Sequence, residues 1–309
     1  MVSKTRVMLF FKGFAMGTAD IVPGVSGGTI ALITGIYDQL VHTISQLDHQ
    51  FFKYLVTAKF KEAYQKINPS FLIPLFIGIA SAIVAMAKLM HFLMESYSVY
   101  TWSAFFGLIL ASIIVLLKQI PQLRQSINLF GVFAGTVIGY LVVTLIPVQT
   151  PENYLMVFGA GMIAICAMIL PGISGSFILL ILGKYYFITG MIKDPFHLAH
   201  LLYIGVFCLG CLLGLISFSK VLNKLLNNHY SLTMCILVGF MIGSLKKIWP
   251  WKKLSDQLVP FTDPEKAKLL ADELYLPSQF SGEVIFAFAI MVISFLIVYL
   301  IEKSFATRR

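Results

Sequence analysis

Apolar residues run along the chain in long blocks, at about 7–22, 29–44, 71–94, 99–118, 127–147, 154–170, 176–192, 200–222, 230–248 and 283–302, with charge confined mostly to the gaps. Blocks of this length and continuity predict membrane-embedded helices rather than amphipathic helices of a soluble domain. They divide five and five about a connector from Pro147 to Asn153. The first two blocks of each half are short. A helix over 7–22 would be about 24 Å long, below the roughly 30 Å of a hydrocarbon core. The pattern therefore predicts a broken or re-entrant hairpin followed by three transmembrane helices in each half. The first repeat occupies 1–147 (hairpin 7–44; helices 71–94, 99–118 and 127–147), and the second 154–309 (hairpin 154–192; helices 200–222, 230–248 and 283–302). Whether the hairpins re-enter or cross, each half makes three or five crossings. An odd number inverts the second half relative to the first, so the expected fold is an all-α polytopic membrane protein of two inverted-topology repeats in one integral domain.

The division into halves is supported by a repeated heptapeptide. Pro23-Gly24-Val25-Ser26-Gly27-Gly28-Thr29 recurs 148 residues later as Pro171-Gly172-Ile173-Ser174-Gly175-Ser176-Phe177. The same offset matches Gly13 to Gly161, Ile21 to Ile169, Ile30 to Ile178, Gly35 to Gly183 and Tyr37 to Tyr185. Further on, Ile77-Gly78 is matched to Ile204-Gly205, and Gly107 with Ser112 to Gly239 with Ser244. These small residues, together with Gly131, Gly135 and Gly139 at spacings of four, predict close helix packing. Two further stretches predict surface helices: 38–66, with Leu40, Ile44, Leu47, Phe51 and Leu55 at helical spacing, and a helix start at Asp263-Pro264-Glu265.

Composition agrees with a bilayer as solvent. The chain is 58% hydrophobic and 12% charged, with a mean hydropathy of +0.87, outside the range of soluble domains. Its formal net charge of +9 lies between apolar blocks, which suits anionic membrane lipids and not nucleic acid. Lys4, Arg6 and Lys12 give the start a signal-peptide look, but no small-x-small cleavage site follows, so a retained first segment is expected. Lys and Arg bias places Lys4, Arg6, the Lys53–Lys66 loop, the Lys118–Arg124 loop and the tail on one side, so both termini are expected in the cytoplasm. One loop conflicts with this count, because Lys246, Lys247, Lys252 and Lys253 fall on the other side, but the same loop holds Asp256, Asp263, Glu265, Asp272 and Glu273, and long mixed loops constrain topology weakly. Cys208-x-x-Cys211 and His197-x-x-His200 lack a second ligand pair or carboxylate partners, so neither a metal nor a cofactor is implied.

Unpaired backbone survives in lipid only where protein buries it or a wet cavity receives it, and paired breaks in two halves point to a transporter's binding site. Each break starts a half-helix inside the membrane, with backbone N–H groups and a positive dipole end suited to an anion, phosphate above all. The candidate phosphate ligands are Gly24, Val25, Ser26, Gly27, Gly28 and Thr29 from the first copy, and Gly172, Ile173, Ser174, Gly175 and Ser176 from the second. Asp20, one turn before the first break, is costly in a membrane and is read as a coupling carboxylate or a cap for the neighbouring helix. Its counterpart is Met168. Lys12 is read either as charge compensation for a phosphate or as a lysine snorkelling to headgroups, and Lys88 is a weaker candidate of the same kind.

Lys12-Gly13, Gly17, Asp20, the first heptapeptide, Gly35-Ile36-Tyr37, Leu170 with the second heptapeptide through Ser176, and Gly183-Lys184-Tyr185 together resemble the bacterial polyprenyl-phosphate transporter family. The resemblance covers essentially the whole chain. It implies a multi-pass inner-membrane transporter that returns undecaprenyl phosphate, the lipid carrier of cell-wall polymer synthesis, to the cytoplasmic leaflet. A phosphate carries about −1.5 to −2 charges, and an inside-negative potential opposes its inward passage by ~2.3 kcal/mol per charge per 100 mV. A coupling proton or sodium ion is therefore expected. An ion-coupled carrier of a small soluble anion would present the same core site and stays open as the alternative. An intramembrane undecaprenyl pyrophosphate phosphatase would need cationic stabilisation and a positioned base or nucleophile. Gly27 and Gly175 stand where such enzymes carry arginine, no membrane segment holds a Glu-x-x-x-Glu pair, and no catalytic residue is assigned. A channel or structural protein would leave Asp20 and the paired breaks without a role.

Overall fold

A computed structural model describes residues 2–22, 25–145, 148–193, 197–254, 272–279 and 281–306. In chain order the helices are α1 (Val2–Ile21), α2 (Gly27–Ile33), α3 (Tyr37–Ser45), α4 (His49–Val56), α5 (Phe60–Lys66), α6 (Pro69–Ser96), α7 (Ser98–Gln119), α8 (Ser126–Thr144), α9 (Tyr154–Ile169), α10 (Gly175–Ile181), α11 (Tyr185–Lys193), α12 (Leu198–Asn228), α13 (Tyr230–Ser244) and α14 (Gly282–Ala306). Among the described residues five helical stretches are long and apolar enough to cross a bilayer: α6, α7, α8, α12 and Gly282–Leu300 of α14. The pair α10 and α11, bent by 111° at its break, makes a sixth if taken as one span. The chain is thus a multi-pass, mostly helical membrane protein. Large apolar side chains on α6, α8, α12 and α14 face outward, as lipid contact requires, whereas α7 is the most enclosed of the long helices.

The structure departs from the expected pattern in four places. Helix α13 stops at Ser244 instead of reaching 248; its 15 residues span about 22 Å, less than the hydrocarbon core, because Lys246, Lys247 and Pro250 end the apolar run. Helix α1 is longer than the expected arm, since Lys4 and Arg6 extend it, and its 20 residues reach about 30 Å. The single surface helix expected over 38–66 is three helices. Of these α3 is buried against α12, and the turns at Ala58 (φ 54°) and Asn68 (φ 43°) close off α5. Asp48 opens α4 by accepting from Phe51 N at 3.0 Å and pairs with Lys66 Nζ at 2.7 Å. Lastly, a two-stranded antiparallel ribbon, β1 (Lys252–Leu254) with β2 (Asp272–Leu274), amends the all-α expectation. The helix start expected at Asp263-Pro264-Glu265 lies outside the described residues.

Each hairpin's second arm is itself broken, in the same way in both halves. Ile36 N donates to Ala31 O and Gly35 N to Leu32 O; Lys184 N donates to Leu179 O and Gly183 N to Leu180 O. These are matching Schellman ends, with Gly35 at φ 69° and Gly183 at φ 67°. A side chain there would meet the left-handed penalty of roughly 1–2 kcal/mol, which explains why both copies carry glycine.

Four helix pairs carry the packing: α1 with α6, α9 with α12, α8 with α13, and α7 with α14. All run parallel through glycine contacts. Gly13 faces Leu75 and Gly17 faces Ile79; Gly161 faces Phe207 and Gly214 faces Met162. Gly131, Gly135 and Gly139 face Leu232, Ile236 and Phe240 in step. Gly107 faces Met291, and one end of that pair is tied by Lys118 Nζ to Tyr299 Oη at 3.4 Å. The same contacts bear on the expected match of Gly78 with Gly205. Gly78 packs on Phe10, and Gly210 packs on Phe158 in the other half, whereas Gly205 faces open space. Gly210 stands at the offset that relates Gly107 to Gly239 and shares the backbone contact that Gly78 makes.

Candidate functional site

The two breaks meet. Ser26 is the N-cap of α2, with extended φ −122° and ψ 137°, and its Oγ accepts from Gly28 N at 3.1 Å. The same hydroxyl donates to Met168 O in the other half, also at 3.1 Å. Gly28 is pressed against this strand of backbone, since a Cβ there would lie 2.5 Å from Ile169 O. Gly172 N donates to Thr29 Oγ1 at 2.8 Å, and Tyr37 Oη donates to Ile169 O at 3.2 Å. Val25, Ser26 and Thr29 are at most 1% exposed, so the junction is sealed by protein. Gly24 lies outside the described residues.

Asp20 takes the capping position, accepting from Gly27 N through Oδ1 at 2.7 Å. Its carboxylate lies so close that a Cβ on Gly27 would be 2.5 Å from Oδ2. Together Asp20 and Ser26 occupy the first N–H groups of α2, which the sequence assigns to an anion. The second break differs. Ser174 is the N-cap of α10 but makes no side-chain cap; its Oγ instead pairs with Ser176 Oγ at 2.8 Å. Gly172 sits at φ 84° against α13, where a Cβ would lie 2.7 Å from Ser244 Oγ. Gly175 packs on Ala164 O, and Ile173 and Ser174 are buried.

Lys12 is not brought to the break. Its Nζ donates to Thr34 O at 2.6 Å, at the opposite end of α2, about 10 Å along that helix. A cation is favourable there because the helix ends in unsatisfied carbonyls. Lys184 plays a related part in the second hairpin, where it is buried and donates to Thr150 O at 2.6 Å. Lys88 lies on an exposed face of α6.

Two participants were missed by sequence reasoning. Tyr37 was recognised as a repeated residue without a role, and its hydroxyl joins the halves. Lys247 was counted only as a loop charge, yet it is 9% exposed and its Nζ lies 5.0 Å from the Phe177 ring centroid, at the start of α10. Its only signal in the sequence was a lysine on the wrong side of the charge bias. Among the described residues no group of three or more His, Cys, Asp or Glu could hold a metal ion. A recess of about 290 Å³, lined in part by Asp38, His42, Asn223, Asn227 and Tyr230, opens where α3 meets the end of α12.

The model of the undecaprenyl phosphate translocase-like family matches residues 16–262, which include both breaks and every contact between them. The chain belongs to this family. A polyprenyl-phosphate transporter of Vibrio cholerae is 46% identical over 255 residues, covering 82% of this chain and 81% of the relative. A polyprenyl-phosphate transporter of Staphylococcus aureus is 37% identical over 257 residues, covering 77% of this chain and 84% of the relative. No solved structure matches. Both relatives are named as transporters, which agrees with the expectation of a non-enzyme and leaves the phosphatase reading without support.

Proposed function

We propose that this chain moves undecaprenyl phosphate from the outer to the cytoplasmic leaflet of the bacterial inner membrane, recycling the carrier for cell-wall polymer synthesis. Membership in the family and the names of both relatives support a polyprenyl phosphate as the substrate. The observation that carries the mechanism is the direct bond between breaks, Gly172 N to Thr29 Oγ1. In this reading the halves are inverted repeats, 1–147 and 154–309, and the closed junction is one end of an alternating-access cycle. Helix directions support the inversion. Helices α6, α7 and α8 reverse direction at each short connection, as do α12 and α13, and the parallel partnering of α8 with α13 then sets α6 opposite to α12.

When one half moves against the other, the Thr29 hydroxyl and the Gly172 N–H separate and become available to a phosphate, together with Ser26, Ser174 and Ser176. The polyprenyl tail stays in lipid throughout. Asp20 caps α2 in the closed arrangement and is the carboxylate placed to carry a coupling proton or cation such as sodium, and both termini face the cytoplasm. The test is movement of undecaprenyl phosphate between leaflets of proteoliposomes, comparing wild type with a folded Ser26→Ala, Ser174→Ala double variant. Transport by the wild type that fails in the variant supports the reading. A well-folded wild type that moves no lipid, with or without a pH or sodium gradient, overturns it in favour of a soluble anion.

A further inference from the structure

Three of the four lysines that contradict the charge bias lean onto aromatic rings, and Lys247 among them is buried. Lys246 Nζ contacts Tyr140, 3.3 Å from its hydroxyl and 4.6 Å from its ring centroid. Lys247 is buried over Phe177. Lys252 Nζ donates to Lys247 O and lies 3.7 Å above the Trp102 ring. Three ammonium groups therefore gather around the end of α13. That helix falls roughly 8 Å short of a full crossing, so the cluster sits at or just beneath the headgroup layer. Tyr140, Trp102, Trp249 and Trp251 ring it, as expected of an aromatic belt at that depth. It also adjoins the second break directly, because Ser244, three residues before Lys247, walls Gly172, and Phe177 belongs to the second heptapeptide.

Clustered positive charge beside low-dielectric walls draws opposite charge toward it, and the two carboxylates of β2, Asp272 and Glu273, pair in register with Leu254 and Lys253 and not with Lys252. We propose that Lys246, Lys247 and Lys252 form a capture site for a phosphate monoester at the membrane face where α13 ends, handing it to the second break. This rests on the reading that the substrate is a membrane-anchored phosphate entering from the outer leaflet, the face to which the topology above assigns these lysines. The repeat has no equivalent at the first break. The residue that the Gly107–Gly239 offset relates to Lys247 is Val115, and the first break has Asp20 where the second has Met168. The site is thus polarised: cations serve the second break, and a carboxylate serves the first.

All three tryptophans of the chain lie at this cluster, so intrinsic tryptophan emission reports its occupancy. Purified full-length protein in detergent is titrated with undecaprenyl phosphate, undecaprenol or inorganic phosphate, using wild type, K247Q, K247R, the K246Q/K247Q/K252Q triple variant and K118Q. Lys118 makes a similar ring contact, with Tyr299, at the far end of α7. The expected result is a saturable change with undecaprenyl phosphate alone. Half-saturation should rise tenfold or more in K247Q, recover largely in K247R, vanish in the triple variant and stay unchanged in K118Q. Wild-type behaviour of a monodisperse K247Q would overturn the capture site, as would an equal loss in K118Q. The same emission change with inorganic phosphate would overturn the lipid assignment, and with undecaprenol the phosphate assignment. Lysine-dependent binding without leaflet transfer in proteoliposomes keeps the capture site and removes the transport reading. Leaflet transfer with lysine-independent binding does the reverse.

Discussion

Thr29→Val isolates the bond that joins the two breaks. Valine keeps the β-branched shape and removes only the acceptor of the 2.8 Å bond from Gly172 N. Thr29 is 0% exposed, so no water replaces the lost partner. Stranding a buried N–H costs about 1–3 kcal/mol, and side-chain bonds between membrane helices contribute ~0.6 and at most ~1.7 kcal/mol. About 1–2 kcal/mol is the resulting expectation. Thr29→Ser retains the acceptor and loses one buried methyl, about 0.8 kcal/mol, so it should fall nearer to wild type. At ~2–4 °C per kcal/mol, thermal unfolding in detergent should drop by roughly 3–6 °C for Thr29→Val. The same change weakens the closed arrangement relative to open ones by about tenfold, so leaflet transfer should respond in Thr29→Val more than in Thr29→Ser. A Thr29→Val protein that unfolds within ~1 °C of wild type and transports normally would refute the argument that this contact holds the halves together.

Gly183→Ala should cost about 1–2 kcal/mol, since Gly183 holds φ 67° and a Cβ there would lie 3.0 Å from Val148 O. Gly159→Ala, in α9 where a Cβ meets nothing within 4 Å, should be neutral or stabilising by up to ~1 kcal/mol; reversed order in thermal unfolding would refute the turn geometry. Asp20→Ala should lose an N-cap at about 0.5–2 kcal/mol, while Asp20→Asn keeps an oxygen for Gly27 N and stays within ~1 kcal/mol of wild type. Folded Asp20→Asn protein is expected to lose the gradient dependence of transport, and an unchanged response to pH and sodium gradients would confine Asp20 to capping. Lys12→Met removes the bond to Thr34 O and should lower stability by about 1–2 kcal/mol without altering affinity for undecaprenyl phosphate. An affinity loss of tenfold or more in a folded variant would return Lys12 to the binding site.

The linear order of residues was enough to reveal a multi-pass, mostly helical membrane protein and the heptapeptide that occurs in it twice. Apolar run length, proline, glycine and small-residue spacing are local properties, and they act through the chain's own backbone. Gly35 and Gly183 illustrate the point: each is needed for a left-handed turn that its immediate neighbours define. Gly205 marks where local reasoning fails, because only the helix opposite could reveal that Gly210 is the residue pressed against backbone. Occupancy of the donors was likewise hidden. Asp20 and Ser26 satisfy α2 from one side, and Thr29 crosses to Gly172 from the other half; such bonds depend on how two distant segments approach. Lys247 read as one more loop charge until folding turned it inward onto Phe177. What a polar or charged group faces is decided across the chain, since burial and electrostatic partners are set by segments far away in sequence. The sequence determined the repeated breaks by itself, because proline and glycine act on their own backbone, and tertiary structure decided which donors the protein uses and what its lysines face.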